Sequence, residues 1–153
     1  MPATPLASWM LLTGGLVNVQ LGVFSVLVDA IFGFSFKLDP DRGIRAPFDS
    51  MIAAMAAAST PVLSIDIPSG WDVEAGPQSA GALVPDALIS LTAPKLCTIH
   101  YSGRHFLGGR FVPPTIVERY QLSLPVYAGT SQVVELEGWG SGNEEKEHEV
   151  SGQ

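Results

Sequence analysis

The sequence contains little charge and almost no cysteine. Only 15% of its 153 residues are charged, against about 25% in ordinary soluble domains. Cys97 is the single cysteine, which excludes an internal disulfide and a zinc site built from several cysteine ligands. The net charge of -7 argues against a partner bound through a nucleic-acid phosphate backbone, because that binding needs clustered lysine and arginine. With 46% apolar residues, the chain can build one domain core, and a reducing compartment is the simpler environment for it.

The first 28 residues contain no charged side chain. The stretch from Trp9 to Val28 approaches the length of a membrane span. Glycine, threonine, asparagine and glutamine interrupt it, however, and the basic region that a signal peptide requires is missing. These interruptions favour a segment of a soluble domain over a membrane or targeting element or a disordered segment, and all three interpretations stay open.

The central part of the chain shows a strand, a helix and a second strand. Ser25–Phe32 and Val62–Ile67 are apolar and β-branched, as buried strands are. Pro47–Ser59 between them has apolar side chains at helical spacing, so the two strands should be parallel. Asp86–Thr92 predicts a third strand. Weaker strand candidates are Gly108–Val112 and Gln132–Leu136.

Two carboxylates occupy equivalent positions in this unit. Asp29 and Asp66 each follow an apolar run near the carboxyl end of a predicted strand. Ligands of open α/β sheets bind in the crevice beyond those ends, and a buried carboxylate needs hydrogen bonds, a counter-charge or a cation. The pair therefore predicts either a ligand site or two carboxylates that cap neighbouring turns.

Other polar residues near the same sheet edge have a functional and a structural interpretation. Ser69 lies in a Pro-Ser-Gly turn that could hold an ion or simply reverse the chain. Lys37 could contact a phosphate or remain solvated on its loop. His100 and His105 lack the spacing of a zinc motif, so we expect surface or packing roles for them.

Four longer motifs give this sequence a specific resemblance. In chain order they are DAIFGFSFK at 29–37, SIDIPSGWD at 64–72, LTAPK at 91–95 and GGRFVPP at 108–114. Over residues 27–136 the chain resembles the NAD(P)H-hydrate epimerases, the YjeF amino-terminal domain family, whose animal members include the apolipoprotein A-I binding protein type. The resemblance implies a Rossmann-like, three-layer αβα fold of the α/β class. It also implies an isomerase that interconverts the R and S forms of hydrated NADH and NADPH in nicotinamide nucleotide repair.

The resemblance assigns roles to particular residues. It implies that Asp29 and Ser69 are ligands of one potassium ion per subunit. It implies that Asp66 binds substrate, and Asp66 is then the best candidate for the catalytic group, because a carboxylate can move a proton. It also implies that the dinucleotide lies against the loop in the second half of the first motif, at Gly33, Phe34, Ser35, Phe36 and Lys37.

The sequence departs from the family pattern in two places. The family has an amino-terminal half with a Gly-Asn-Asn-Gly-Gly-Asp loop, and nothing in residues 1–26 resembles it. In addition, Leu38–Arg42 looks inserted before Gly43, and Ile44 stands where the family often has an acidic residue. We therefore expect a fold that is incomplete at its amino terminus. The expected division is a divergent uncharged segment 1–26, the carboxy-terminal part of the YjeF amino-terminal domain at 27–137, and a disordered polar tail at 138–153.

The same departures leave two functions open. One is an active hydrate epimerase, and the other is a catalytically impaired, truncated isoform that acts, if at all, through protein binding. The resemblance implies NAD(P)H-hydrate dehydratase as a functional partner and leaves a homodimer and apolipoprotein A-I binding open, with no nucleic acid and no membrane expected. A mitochondrial or cytoplasmic location is expected, and secretion remains an alternative.

Overall fold

A computed structural model describes residues 21–39 and 41–137 of the chain. Within these ranges the chain forms five strands and two α-helices. The strands are β1 (Leu27–Asp29), β2 (Val62–Ile65), β3 (Ala87–Leu91), β4 (Arg104–Gly108) and β5 (Val133–Glu135). The helices are α1 (Phe48–Ala56) and α2 (Pro114–Tyr120), and short 3-10 helices span Leu21–Val23 and Leu96–His100.

The strands form one mixed sheet in the order β1-β2-β3-β4-β5. The first four strands are parallel, and β5 pairs with β4 in the antiparallel sense. Helix α1 connects β1 to β2, so the predicted parallel strand-helix-strand unit is confirmed. This arrangement confirms an α/β fold, and parallel register places the carboxyl ends of β1 to β4 along one edge of the sheet.

Apolar side chains pack in two clusters. One joins β1, α1 and β2 through Leu27, Ile52, Met55 and Val62, with Leu83 closing it. The predicted helical stripe is therefore correct, since Ile52 and Met55 are the buried residues of α1. The second cluster joins Leu88 of β3 to the segments that follow β2 and β3. Its other members are Ile67 and Trp71 after β2, and Cys97 and Tyr101 after β3.

The predicted strand Gly108–Val112 is wrong in position. The strand β4 runs from Arg104 to Gly108 instead. Its buried side chains include a histidine, His105, as well as Leu107, so the inward face does not read as apolar in the sequence. Gly108 ends the strand where space is short, because a Cβ atom at that position would lie 2.6 Å from Cγ2 of Ile89.

The remaining differences concern the ends of the elements. Strand β1 is shorter than Ser25–Phe32, and β2 ends at Ile65, two residues before its predicted end. Helix α1 starts at Phe48 because Pro47 occupies the N-cap position, just before the helix. Helix α2 was not predicted, since none of its residues is buried and it shows no apolar stripe.

Several sequence predictions fall on residues that the structure does not describe. The segment 1–20 and the tail 138–153 lie outside the described residues, as does Pro40 in the predicted insertion. Among residues 21–39 and 41–137, no helix is long and apolar enough to cross a membrane.

Candidate active site at the carboxyl ends of the strands

Asp29 is the last residue of β1 and is completely buried. Its Oδ2 accepts hydrogen bonds from the Ser64 hydroxyl at 2.8 Å and from the Ser69 amide at 2.8 Å. Its Oδ1 accepts one from the Ser69 hydroxyl at 2.5 Å and a long one from the Ile31 amide at 3.5 Å. A buried carboxylate needs several hydrogen bonds to replace those that it would make to water. Asp29 therefore fixes the Pro-Ser-Gly turn against β1, which is the turn-capping role that the sequence left open.

Ser69 links the chain after β2 to the chain after β1. Its hydroxyl donates to Asp29 and also accepts a hydrogen bond from the Phe32 amide at 3.0 Å. The turn continues at Gly70, which has a φ of 89°, a left-handed conformation that suits glycine. The two residues that the family resemblance assigns to potassium are thus in direct contact and buried together.

Asp29 and Ser69 fit a potassium ion in ligand type but not as a complete site. Carboxylate and hydroxyl oxygens are hard ligands, which suit cations of this kind. Both carboxylate oxygens of Asp29 already accept two hydrogen bonds each, as described above. Within the part of the chain that the structure describes, no group of three or more His, Cys, Asp or Glu side chains could hold a metal ion. A cation here would need further oxygen ligands and would have to displace or share one of these hydrogen bonds.

Asp66 begins the chain segment after β2 and has a left-handed backbone, with a φ of 72°. Its amide donates to the Ile89 carbonyl at 2.7 Å, which continues the pairing with β3 for one residue. Its Oδ1 accepts a hydrogen bond from the Leu91 amide at 3.2 Å and an ion-paired one from Lys95 Nζ. The backbone and side chain of Asp66 are therefore both fixed by the neighbouring strand. Backbone strain of this kind is frequent at functional sites.

Lys95 was missed as a site residue by sequence reasoning, although it ends the quoted LTAPK motif. Its Nζ bridges Asp66 Oδ1 and the Leu91 carbonyl, the latter at 2.8 Å. The side chains of Lys95 and Asp66 are 17% and 15% exposed, so the ion pair is largely withdrawn from water. No spacing rule could have paired them, because the contact spans 29 residues and depends on the adjacency of β2 and β3.

An open cavity of about 670 Å³ lies beside this ion pair. Its walls combine Asp66 and Lys95 with Phe34 from the loop after β1, Glu74, and the chain from Leu91 to Leu96. The Phe34 ring is 65% exposed and provides an apolar surface within the cavity. Cavities of this size that combine apolar walls with a few polar groups are the usual shape of a small-molecule site.

The other predicted loop residues are less closely connected to the cavity. Gly33 lies near Asp66, since a Cβ atom at Gly33 would be 3.9 Å from Asp66 Oδ2. Phe36 is turned to stack on Phe32, with ring centroids 4.2 Å apart. Ser35 and Lys37 are exposed and are not among the residues that line this cavity.

The two histidines have the packing and surface roles expected of them. His105 is buried in β4, where its Nε2 lies 2.9 Å from the Ser90 hydroxyl of β3. Burial lowers its pKa from 6.5 to about 4, so the ring is neutral at physiological pH. His100 is exposed at the end of the second 3-10 helix.

A family model described as "YjeF-related protein N-terminus" matches residues 10–97. The chain belongs to this family. The match begins inside the segment that we predicted to be divergent, and the division of the chain at residues 26 and 137 stays a prediction.

Curated relatives of this family member are similar over most of its length. An NAD(P)H-hydrate epimerase of Puccinia graminis f. sp. tritici is 52% identical over 123 residues, which is 80% of this chain and 50% of the relative. One from Sclerotinia sclerotiorum is 53% identical over 113 residues, 72% of this chain and 46% of the relative. One from Aspergillus fumigatus is 52% identical over 113 residues, 72% and 45%. The chain thus spans about half the length of the curated relatives it matches.

A solved structure shares the fold of this family member. The crystal structure of yeast ynu0, YNL200c, is similar with a TM-score of 0.67 and 36% sequence identity. The similarity covers 74% of this chain and 47% of the yeast chain. The agreement supports the Rossmann-like assignment of the mixed sheet.

Proposed function

We propose that this chain acts as an NAD(P)H-hydrate epimerase, with hydrated NADH or NADPH as its substrate. The observation that carries the proposal is the ion-paired Asp66 at the wall of an open cavity. Sequence identity of 52–53% to relatives named NAD(P)H-hydrate epimerase supplies the reaction and the substrate class.

The proposed epimerisation requires a group that can donate and accept a proton. Conversion of an R hydrate to its S form requires the bond between carbon and hydroxyl oxygen to break and then to re-form on the opposite face. The departing hydroxyl takes up a proton and leaves as water, and the water that adds gives a proton back. A carboxyl group within reach can donate and accept such protons. Among the residues that line the cavity, Asp66 and Glu74 carry carboxyl groups, and we assign the role to Asp66 because its position is fixed by β3.

The loop after β1 is proposed to hold the substrate. Phe34 offers an exposed ring to the cavity, and aromatic rings stack readily on flat heterocycles. Gly33 lies close to Asp66, where the lack of a side chain leaves room for the substrate. Phe36 supports the loop by stacking on Phe32. The proposal keeps Ser35 and Lys37 as contacts to the dinucleotide at the exposed end, with Lys37 as a point charge for phosphate.

We also propose that a potassium ion binds near Asp29 and Ser69 in a structural role. Support comes from the hard oxygen ligands and from the absence, within residues 21–39 and 41–137, of an ion pair to the buried Asp29 carboxylate. When bound, the cation would offset the charge of that carboxylate and fix the turn that leads from Asp66 to Gly70. NAD(P)H-hydrate dehydratase is proposed as the functional partner.

Substitution of Asp66 tests the proposed activity. Asp66→Asn keeps the shape of the side chain but removes its basicity, and asparagine tolerates the left-handed backbone at this position. We expect the rate of R and S interconversion of hydrated NADPH, followed by chromatography, to fall about 100-fold or more. The melting temperature should fall, because Lys95 loses its counter-charge in a largely buried ion pair, but unfolding should remain cooperative and show that the fold is intact.

The control is Asp49→Asn, which removes an exposed carboxylate from the first turn of α1. It should leave the interconversion rate unchanged. If the unsubstituted chain does not raise the interconversion rate above that of hydrated NADPH alone, the proposed function is wrong. If Asp66→Asn retains the parent rate, Asp66 is not the proton-transfer group.

A further inference from the structure

We infer that Lys95 is a positioning residue that holds the Asp66 carboxylate in its working orientation. This inference rests on the proposed function. It begins from the two oxygens of Asp66, which have different surroundings. Oδ1 accepts hydrogen bonds from Lys95 Nζ and from the Leu91 amide. Oδ2 accepts none from the residues that the structure describes, and it points toward Gly33.

Lys95 itself is held by the last residue of β3, the strand that precedes it in the chain. Its Nζ also donates to the Leu91 carbonyl at 2.8 Å, so Leu91 contributes its amide to Asp66 and its carbonyl to Lys95. Lys95 and Asp66 thereby close a ring of three contacts around the end of β3. A carboxylate held at one oxygen by two donors cannot rotate freely, and the other oxygen faces one fixed direction.

The burial of the pair makes this anchoring effective. Surface ion pairs orient little because water competes for both partners, but these two side chains are 17% and 15% exposed. The left-handed backbone at Thr92, with a φ of 69°, turns the chain so that Lys95 comes back over the end of β3. Oδ1 is thus the anchored atom, and Oδ2 is the atom left to exchange a proton with the substrate.

Lys95→Met tests the inference, because methionine keeps the length and flexibility of the side chain but removes both donated hydrogen bonds. For hydrated NADPH we expect kcat to fall about 10-fold or more while KM changes less than about twofold, since a misplaced proton-transfer group weakens the transition state and not ground-state binding. Lys95→Arg retains charge and donors and should recover most of kcat. Arg119→Met, which removes an exposed cation from α2, is the control and should behave as the parent.

A double-substitution cycle separates positioning from an independent role. If Lys95 acts through Asp66, then Lys95→Met should cause no further loss of kcat in the Asp66→Asn background, because interacting residues are not additive. Two multiplying losses would overturn the inference. A rise in KM at unchanged kcat would overturn it too, because Lys95 would then contact the substrate and not orient Asp66.

A measurement without turnover keeps the inference testable if the proposed activity is wrong. The Leu91 amide is hydrogen-bonded to Asp66 Oδ1, so loosening of the carboxylate in Lys95→Met should speed its hydrogen exchange about 10-fold. The Leu27 amide, hydrogen-bonded to the Pro61 carbonyl at 2.8 Å, lies at the start of β1 and thus at the opposite end of the parallel strands; it serves as internal reference and should not change. Equal Leu91 exchange in the parent and Lys95→Met would overturn the positioning role, whether or not the chain epimerises its substrate.

Discussion

Removal of the serine hydroxyls around Asp29 should destabilise the fold in a graded way. Ser64→Ala deletes one donor to a carboxylate that has no access to water. A hydrogen bond to a charged group contributes about 1.5–3 kcal/mol to stability, and a buried acceptor that loses its donor cannot recover the loss from solvent. Ser69→Ala deletes a donor to the same carboxylate and also the acceptor of the Phe32 amide. The Phe32 amide, left without an acceptor, adds about 1–3 kcal/mol to the loss of stability.

The expected loss of unfolding free energy is therefore about 1.5–3 kcal/mol for Ser64→Ala and about 2.5–6 kcal/mol for Ser69→Ala. Urea unfolding followed by tryptophan fluorescence measures both, because Trp71 is buried in the second core cluster. Ser102→Ala is the matched control, since Ser102 is exposed and surface substitutions change stability by less than about 0.5 kcal/mol.

Two results would refute this account of the Asp29 cluster. A loss below about 0.5 kcal/mol for Ser64→Ala would mean that the hydroxyl is replaced by water, contrary to the burial of Asp29. Equal losses for the two serines would mean that the link from Ser69 to Phe32 contributes nothing. The urea dependence must keep the same slope in all variants, so that only the midpoint reports stability.

The other predictions concern pH and salt. Burial lowers the pKa of His105 to about 4 from 6.5, so the folded state binds this proton less readily than the unfolded state. The contribution of neutral His105 to the stability of the fold is present above pH 6.5 and is lost as pH falls toward 4. Between pH 7 and pH 5 the unfolding free energy should fall by about 2 kcal/mol. His105→Gln should remove this part of the pH dependence of urea unfolding. A potassium ion near Asp29 and Ser69 should raise the melting temperature in potassium chloride above that in tetramethylammonium chloride at matched ionic strength, and Asp29→Asn should abolish the difference.

Each of these two predictions has a result that contradicts it. An unchanged parent stability from pH 7 to pH 5 would show that His105 is protonated in the fold or reached by water. Equal melting temperatures in the two salts would count against a potassium site at these residues. His100→Gln is the control for the pH series, because His100 is exposed.

The sequence predicted the parallel unit well because its signals are local. The apolar runs that became β1 and β2 and the helical stripe of α1 depend on neighbouring residues and on periodicity. The end of β2 could not be read in this way. Ile67 is apolar and buried, so it continued the pattern, yet the strand ends at Ile65, followed by Asp66 in a left-handed conformation.

In the candidate site, too, the residues with a local sequence signal were predicted, and the residue that depends on strand order was not. Asp29, Asp66 and Ser69 could be proposed from the sequence because carboxylates and a turn beyond apolar strands stand out there, and their functional roles stay predictions. Lys95 was not found, since its contact with Asp66 depends on which strand lies beside β2. Strand β4 was misplaced for a related reason. Its buried His105 is matched by Ser90 across the sheet, and no local pattern reveals that partner.

The left-handed backbone of Asp66 narrows the amino acids that this position can hold. A residue other than glycine with a φ of 72° carries a cost of about 1–2 kcal/mol, and aspartate and asparagine meet it most easily after glycine. Glycine would relieve that cost, but it would leave the largely buried Lys95 ammonium without a counter-charge and the Leu91 amide without its acceptor. In a survey of all single substitutions, scored separately for abundance and for turnover, asparagine should therefore keep more abundance at residue 66 than glycine does, while both lose turnover. Only aspartate combines the backbone conformation, the ion pair and the proposed proton transfer at that one position of the chain.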